Sequence, residues 1–530
     1  MTHFLLVTLL LPALQQSPNW ETVNINDADA LSNGDAGAAR MSDDGRFVVF
    51  ETLGTNFGYA DSNGTYDVYL RDRTLDVVEL ISVSSSGVIG NARSRWPTVS
   101  DDGRFIVFYS EADNLVGGDT NAAADFFVRD RLLGITERVS VGSLGLEGAG
   151  HVVPEHAAIS DDGNDIAFAT YAYNLSVLDG DGYADVYLRD RAGDTTQLVS
   201  VNYLGTDNTR GFHPSITASG DLVAFNSNGE CTALSPGYWQ QIYVRDVGAL
   251  STEMVTINLT GLAGGSGDSE FAEISDDGRY VAFKSKAGDL DTADLNGTAP
   301  DAYLADLSSG TLELVSLDES GAHTSLGVDR VHCSDDGRYV VFYCTNSLVS
   351  GFTGVGHFLR DRSASTTELV EIPFTWSGAH PTLFSYGARV NEDGTRILLG
   401  TSVWIPGAVG AYNVVMRKRT AGQDGMFLTG YTAANVGATV TWSVAHAPAS
   451  APFYLLRSMK QTGLTYAGHG FDVGAGATLL GSGTTTASGT FTFSGGPLPS
   501  SLAGKTVYVE AAARAGSVWH DSNLLWLEVI

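Results

Sequence analysis

The chain has 530 residues, with 30 Lys and Arg against 61 Asp and Glu, 62 Gly, 14 Pro and three Cys. A formal charge of −31 excludes non-specific binding to nucleic acid or to anionic lipid. A hydrophobic content of 43% excludes global disorder, and three cysteines cannot build a disulfide framework.

Residues 4–14, FLLVTLLLPAL, form an apolar run too short to span a bilayer. Residues 1–16 are therefore expected to be a secretory signal peptide. The protein that remains is expected to be secreted, periplasmic or on the cell surface, monomeric, and without a transmembrane segment. Cys333 and Cys344 flank a predicted hairpin but stand out of register, so no bond between them is expected.

From residue 42 a motif recurs seven times: Ser42-Asp-Asp-Gly45, Ser100-Asp-Asp-Gly103, Ser160-Asp-Asp-Gly163, Thr217-Ala-Ser-Gly220, Ser275-Asp-Asp-Gly278, Ser334-Asp-Asp-Gly337 and Asn391-Glu-Asp-Gly394. Successive glycines lie 58, 60, 57, 58, 59 and 57 residues apart, the signature of a repeat architecture. In each period an apolar segment ends at the motif and the Asp-Gly pair turns the chain, with Gly supplying a positive φ. A second apolar run follows, such as Phe47-Val-Val-Phe50, then a third, such as Val68-Tyr-Leu70, and a fourth, such as Glu79-Leu-Ile-Ser-Val83. Four antiparallel strands repeated seven times predict an all-β, seven-bladed β-propeller over residues 20–424. The seventh repeat ends after three strands, near Val414-Val-Met-Arg417. Glu21-Thr-Val-Asn-Ile25 reads as the missing fourth, because Ile25 precedes Ser42 by 17 residues, as Val83 precedes Ser100. Residues 20–26 are therefore expected to close the ring, which protects the edges of the first and last blades.

The runs Ser-Asp-Asp-Gly-Arg-Phe/Tyr-Val-x-Phe, with Asp-Val-Tyr-Leu-Arg-Asp-Arg at 67–73 and 185–191 and Thr-Glu-Leu-Val-Ser, resemble the TolB-like propeller repeat family. The resemblance implies a seven-bladed propeller and an exported protein. It implies no single activity, because such propellers serve as partner-binding modules, as lids and occasionally as lyases.

After Thr420-Ala-Gly-Gln-Asp-Gly425 the charge changes character: residues 425–530 hold four acids and four bases, so residues 1–424 carry the whole excess. Seven short β-like runs there predict a small immunoglobulin-like β-sandwich, used for attachment or spacing. The layout resembles a C-terminal module of secreted proteins from planctomycete-type and myxobacterial-type bacteria.

Loops between second and third strands share a face with the connections between blades. On that face Asp61, Asn63 and Asp67 stand at positions 1, 3 and 7, as do Asp119, Asn121 and Asp125, and Asp179, Asp181 and Asp185; Asp294, Asn296 and Asp301 are a looser case. Oxygens so spaced suit Ca²⁺, while the competing reading is that they make local turns and start the strand. Four residues ahead of each motif stand Ala38, Trp96, His156, His213, Phe271, Arg330 and Gly387, at the expected mouth of the axial channel. Two ahead stand Arg40, Thr98, Ala158, Ser215, Glu273, His332 and Arg389. Trp96, His156, His213, Phe271 and Arg330 are the expected ligand-binding set. The favoured reading is a non-catalytic exported propeller that binds a protein or polysaccharide on the loop face, with calcium-stiffened loops. The rival is a polysaccharide lyase or hydrolase acting at the mouth through His156, His213, Glu273 and Arg330, since pectate-fragment lyases of related repeat type use histidines and a metal there. The chain has no G-x-S-x-G and no H-E-x-x-H, so serine-hydrolase and zinc-protease readings lack support.

Overall fold

The computed structural model describes residues 20–418 apart from 60, 62, 144, 324–326, 350–353, 371–386 and 402–412, and beyond 418 only separate strands between 427 and 529. Seven four-stranded antiparallel sheets follow one another round an axis. Blade one comprises Ala36–Met41, Phe47–Thr52, Asp67–Asp72 and Val77–Leu80, ordered from the axis outward. Blades two to six repeat it over 94–138, 152–198, 212–254, 269–314 and 328–369. Blade seven is built from Arg389–Val390, Arg396–Thr401, Asn413–Lys418 and, as its fourth strand, Trp20–Thr22.

The closure follows the expected register. Trp20, Glu21 and Thr22 pair with Arg417, Met416 and Val415, and the Val23 amide donates to the Val414 carbonyl at 2.9 Å. Glu21 then does what its counterparts do in other blades. Arg73 bonds Glu21 and the Gly45 carbonyl; Arg131 bonds Glu79 and the Gly103 carbonyl; Arg362 bonds Glu313 and the Gly337 carbonyl. The Ile25–Leu31 bridge likewise repeats Val83–Ile89 and Leu317–His323.

Each blade presses on the next through apolar side chains, which is why the second strand is buried along its whole length instead of alternating. All six residues of Phe47–Thr52 are buried, whereas outermost Val77–Leu80 is exposed at its first residue. Phe105, Val107 and Phe126 of blade two mesh with Ile166, Phe168 and Tyr187 of blade three. Across the seam, Val23 sits with Phe50 and Tyr69 of blade one and with Leu398, Val414 and Met416 of blade seven. Burying each such side chain is worth about 1.5–3 kcal/mol.

The Ser-Asp-Asp-Gly-Arg motif is a closed hydrogen-bonded unit. Ser42 Oγ donates to Asp44 Oδ1 at 2.7 Å and accepts from the Phe47 amide, while Arg46 donates to Asp44 through its amide and to Asp72 through its guanidinium. Asp72 also caps the following turn by accepting from the Thr74 and Leu75 amides. Gly103 (φ 68°) is required twice over, since a Cβ there would stand 2.3 Å from the Phe47 ring of the preceding blade.

The described residues contain no helix, and so none long and apolar enough to cross a membrane. Beyond 418, Phe427–Thr429, Thr439–Ala445 and Phe491–Pro497 form one sheet, while Pro452–Ser458, Lys505–Ala515 and Leu525–Val529 belong to another. The 419–426 linker, the side chains of the expected sandwich and the expected signal at 1–16 lie outside the described residues.

Candidate functional site: the axial channel

Three layers of side chains line the channel. The mouth layer is set by a β-bulge in the innermost strand, which pushes one residue per blade into the left-handed region: Ala38 (φ 34°), Trp96 (49°), Glu155 (67°), His213 (50°), Phe271 (59°), Arg330 (51°) and Gly387 (81°). Only blade seven places glycine there. The other six hold an L side chain in a conformation that costs on the order of 1 kcal/mol or more each.

Blade three departs from the expectation. Its inner strand, Val152–Ile159, passes from the Val152–Thr170 pair to the Ala157–Phe168 pair, five residues against two, where blade one (Gly37–Glu51 to Arg40–Val49) spends three against two. The enlarged bulge brings Glu155 to the left-handed place and into the channel wall. His156 turns behind it and is buried, so it is not the mouth residue that counting places there.

Around the mouth these groups touch in sequence. Glu155 pairs with Arg330 at 2.9 Å; the Arg330 guanidinium lies 4.1 Å over the Phe271 ring; His213 follows at 4.2 Å from Phe271, and His156 at 3.7 Å from His213. Trp96 belongs to the same wall, its amide held by Glu51, which Arg95 also bonds. Burial lowers His156 to about 3, with Arg330 adding to the effect, and holds His213 well below its ordinary value.

The second layer carries Arg40, Thr98, Ala158, Ser215, Glu273, His332 and Arg389, all in the wall of one cavity of about 180 Å³. Glu273 and Arg389 pair at 2.6 Å. Burial alone would raise Glu273, but Arg389 outweighs it and the carboxyl sits at about 2. His332 falls to about 3 through burial and Arg389, and its Nδ1 accepts from the Val390 amide.

The third layer, at the exit, is one that sequence reasoning missed. The first acid of the motif in every blade but the fourth gathers here, giving Asp43, Asp161 and Asp276 with oxygens within 4.8 Å of one another, and Asp101, Asp335 and Glu392 close by. Burial, then neighbouring carboxyls, raise Asp161 to about 6 and Asp335 to about 7; burial and the Asp43 hydrogen bond raise Asp276 to about 10. The signal was present, since an acid stands directly after the first motif residue in six of seven repeats.

The acidic loops lie on the mouth face: Tyr203, after the fourth strand of blade three, donates its amide to Glu230 in the loop of blade four. In each loop the last acid starts a strand and accepts from a serine hydroxyl two residues past the fourth strand, as Ser82–Asp67, Ser140–Asp125, Ser200–Asp185 and Ser316–Asp301 show at 2.5–2.8 Å. The amide nitrogens of Asn63, Asn121 and Asn296 turn toward these acids and donate to them. In blade two a guanidinium occupies the centre: Arg138 bonds Glu147 at 2.6 Å and reaches Asp119 and Asp125 at 3.3 Å. In blade five Asp294, Asp301 and His323 bring possible ligand atoms within 4.8 Å of one another, with His323 at 3.0 Å from Asp301. Blade three gathers Asp179, Asp181 and Asp185 within 4.8 Å, bridged by Asn208, and burial raises Asp185 to about 7.

No protein-family model matches the chain, and no curated protein matches it. Among solved structures it is similar to an oligogalacturonate lyase from Vibrio parahaemolyticus (11% identity, 76% of this chain and 96% of that one, TM-score 0.48). It is also similar to a puromycin-hydrolyzing peptidase from Mycobacterium tuberculosis (10%, 81% and 61%, TM-score 0.44) and to a prolyl endopeptidase (10%, 79% and 56%, TM-score 0.45), spanning less than two thirds of either. At such identities the likeness is one of fold alone.

Proposed function

We propose that the protein is an exported, non-catalytic propeller that binds a carbohydrate ligand at the mouth of its axial channel. The observation that carries this reading is the mouth layer itself. Six inner strands hold Ala, Trp, Glu, His, Phe and Arg in a backbone position that glycine would occupy without strain, and such strain collects where a side chain has work to do. Phe271 and Trp96 place aromatic rings in the wall of the mouth, each packed against a guanidinium. Exposed Tyr171, Tyr173, Tyr183, Tyr203, Tyr238 and Trp239 extend an aromatic rim over the loops of blades three and four.

Binding is favoured over the lyase or hydrolase reading because the candidate acids and bases are already engaged. Glu273 is committed to Arg389 and Glu155 to Arg330. His156 and His332 are too weakly basic to take a proton near neutral pH, and no channel histidine joins a donor set compact enough for a metal among the described residues. Export rests on the apolar run at 4–14 and the resemblance to TolB-like repeats. Calcium stiffening belongs to the same reading and narrows to the blade-three loop, where Asp179, Asp181 and Asp185 would supply carboxylate oxygens.

A glycan and peptide array probed with the full chain tests this function. Glycan signals that vanish in Phe271→Ala support it; peptide signals alone, or signals indifferent to that change, contradict it.

A further inference from the structure

The second layer of the channel has an unbalanced charge. It holds Arg40, Arg389 and Glu273, with Arg330 and Glu155 directly above. Two of the three guanidinium groups are matched, Arg389 by Glu273 and Arg330 by Glu155. Among the described residues Arg40 has no carboxylate partner, and the one bond it donates goes to the adjoining Ala39 carbonyl at 3.1 Å. Protein surrounds Arg40, yet part of its surface stays open to the channel, where it lines both the main cavity and a side pocket with Trp96 and Thr98. Burial, then the charge of Arg389, bring Arg40 down to about 9, so it still carries its proton near neutral pH. An uncompensated buried charge is costly, by several kcal/mol, and a fold that keeps one leaves room for its counter-ion.

One further donor faces the same need. The indole Nε1–H of Trp96 is buried without a hydrogen-bond partner, although the ring is packed by Arg95 and Tyr109. Thr98 lines both spaces beside Arg40, and Ala158 of blade three leaves the adjacent wall short.

We infer that the Arg40 layer is a carboxylate-binding pocket, which seats the acid group of a sugar acid whose ring lies toward the mouth aromatics above. The inference deepens the binding function proposed for the channel and rests on it. Arg40 offers a planar fork that suits a carboxylate in two-point contact. Within this layer and the mouth above it the excess is a single positive charge, and Glu273 and Glu155, with Asp43 and Asp276 below in the same cavity, repel a second negative one, so a monoanion is preferred over phosphate. The cavity of about 180 Å³ holds several waters and leaves room for the acid end of a sugar residue.

Isothermal titration of the full chain at pH 7 with D-glucuronate, D-glucose, acetate and inorganic phosphate tests it. Glucuronate is expected to bind at least tenfold more tightly than glucose and than phosphate, and Arg40→Gln to remove at least tenfold of that affinity. Acetate as tight as glucuronate would assign the pocket to free carboxylates, and glucuronate tighter than acetate assigns it to sugar acids; both uphold the pocket. Should Arg40→Gln not fold, Arg40→Lys, which keeps the charge and loses the fork, is expected to weaken glucuronate while leaving glucose alone. Glucose equal to glucuronate, with both lost in Phe271→Ala, would overturn the carboxylate pocket and leave the carbohydrate mouth standing. Phosphate tighter than glucuronate, or an affinity unmoved by Arg40→Gln, would also overturn it. Absence of any binding here and on the array would remove both.

Discussion

The two faces of the propeller are built on opposite plans. On the turn face one set of interactions repeats from blade to blade: Ser42–Asp44, Ser100–Asp102 and Ser160–Asp162 at 2.7–2.8 Å, then Arg46–Asp72, Arg104–Asp130 and Arg338–Asp361 at 2.7–2.8 Å. At the mouth the same number of positions, set by the same bulge, carry seven different residues. Identity under repetition marks what every blade needs in order to fold. Difference under repetition marks what the assembled ring needs at one place only, and in a cyclic fold that place is the axis.

The largest expected effect comes from breaking the scaffold at its seam. Val23 is fully buried between blades one and seven. Val23→Asp would leave a charge there without a partner and should cost several kcal/mol, seen as loss of the cooperative thermal transition. If the transition survives with an unchanged midpoint, the ring is not closed by this strand.

Next comes the turn. Gly103→Ala adds a Cβ 2.3 Å from the Phe47 ring at a φ of 68° and should destabilise by about 2 kcal/mol in a denaturant titration. Ala38→Gly at the mouth, where φ is 34°, should move stability little or raise it. A mouth glycine as harmful as a turn alanine would erase the distinction between the faces.

The exit ring gives a smaller effect with a definite sign. Asp161, at about 6, and Asp335, at about 7, hold protons more tightly in the folded protein than in the unfolded chain. Stability contributed by these groups is therefore fully present below about pH 4 and is lost as pH rises through about 7. Asp335→Asn should raise the thermal midpoint by a few degrees at pH 8 and flatten its dependence between pH 5 and 8. A midpoint that rises with pH over that range would show the ring to be ionised without cost.

The smallest effect is expected far from the axis. Leu132 is 75% exposed on the turn face, and Leu132→Ala should change stability by no more than about 0.5 kcal/mol and leave array binding untouched.

Much of this architecture was legible in the sequence because a propeller repeats its own physics. The glycine spacing counted the blades, and the 17-residue offset of Ile25 from Ser42 located the closing strand in its register. Counting back from the motif found Trp96, His213, Phe271 and Arg330 at the mouth, since the bulge is alike in most blades. It misplaced His156 because two extra residues enlarge the bulge of blade three, a feature the 60-residue period hinted at without locating. The exit ring was hidden by its own repetition: Asp-Asp-Gly reads as turn chemistry, and only the second aspartate serves the turn. The acidic loops showed oxygen spacing, but a spacing does not reveal that Arg138 folds back from a neighbouring strand into the centre of one of them.

The central claim is that the axis, where the repeats diverge, is where the ligand sits. A crystal structure of the full chain with bound D-glucuronate tests it most directly. The account predicts density in the channel with a carboxylate against Arg40 and the sugar ring toward Phe271 and Trp96. Density on the turn face, or sugar in the channel with its acid group turned away from Arg40, would contradict it.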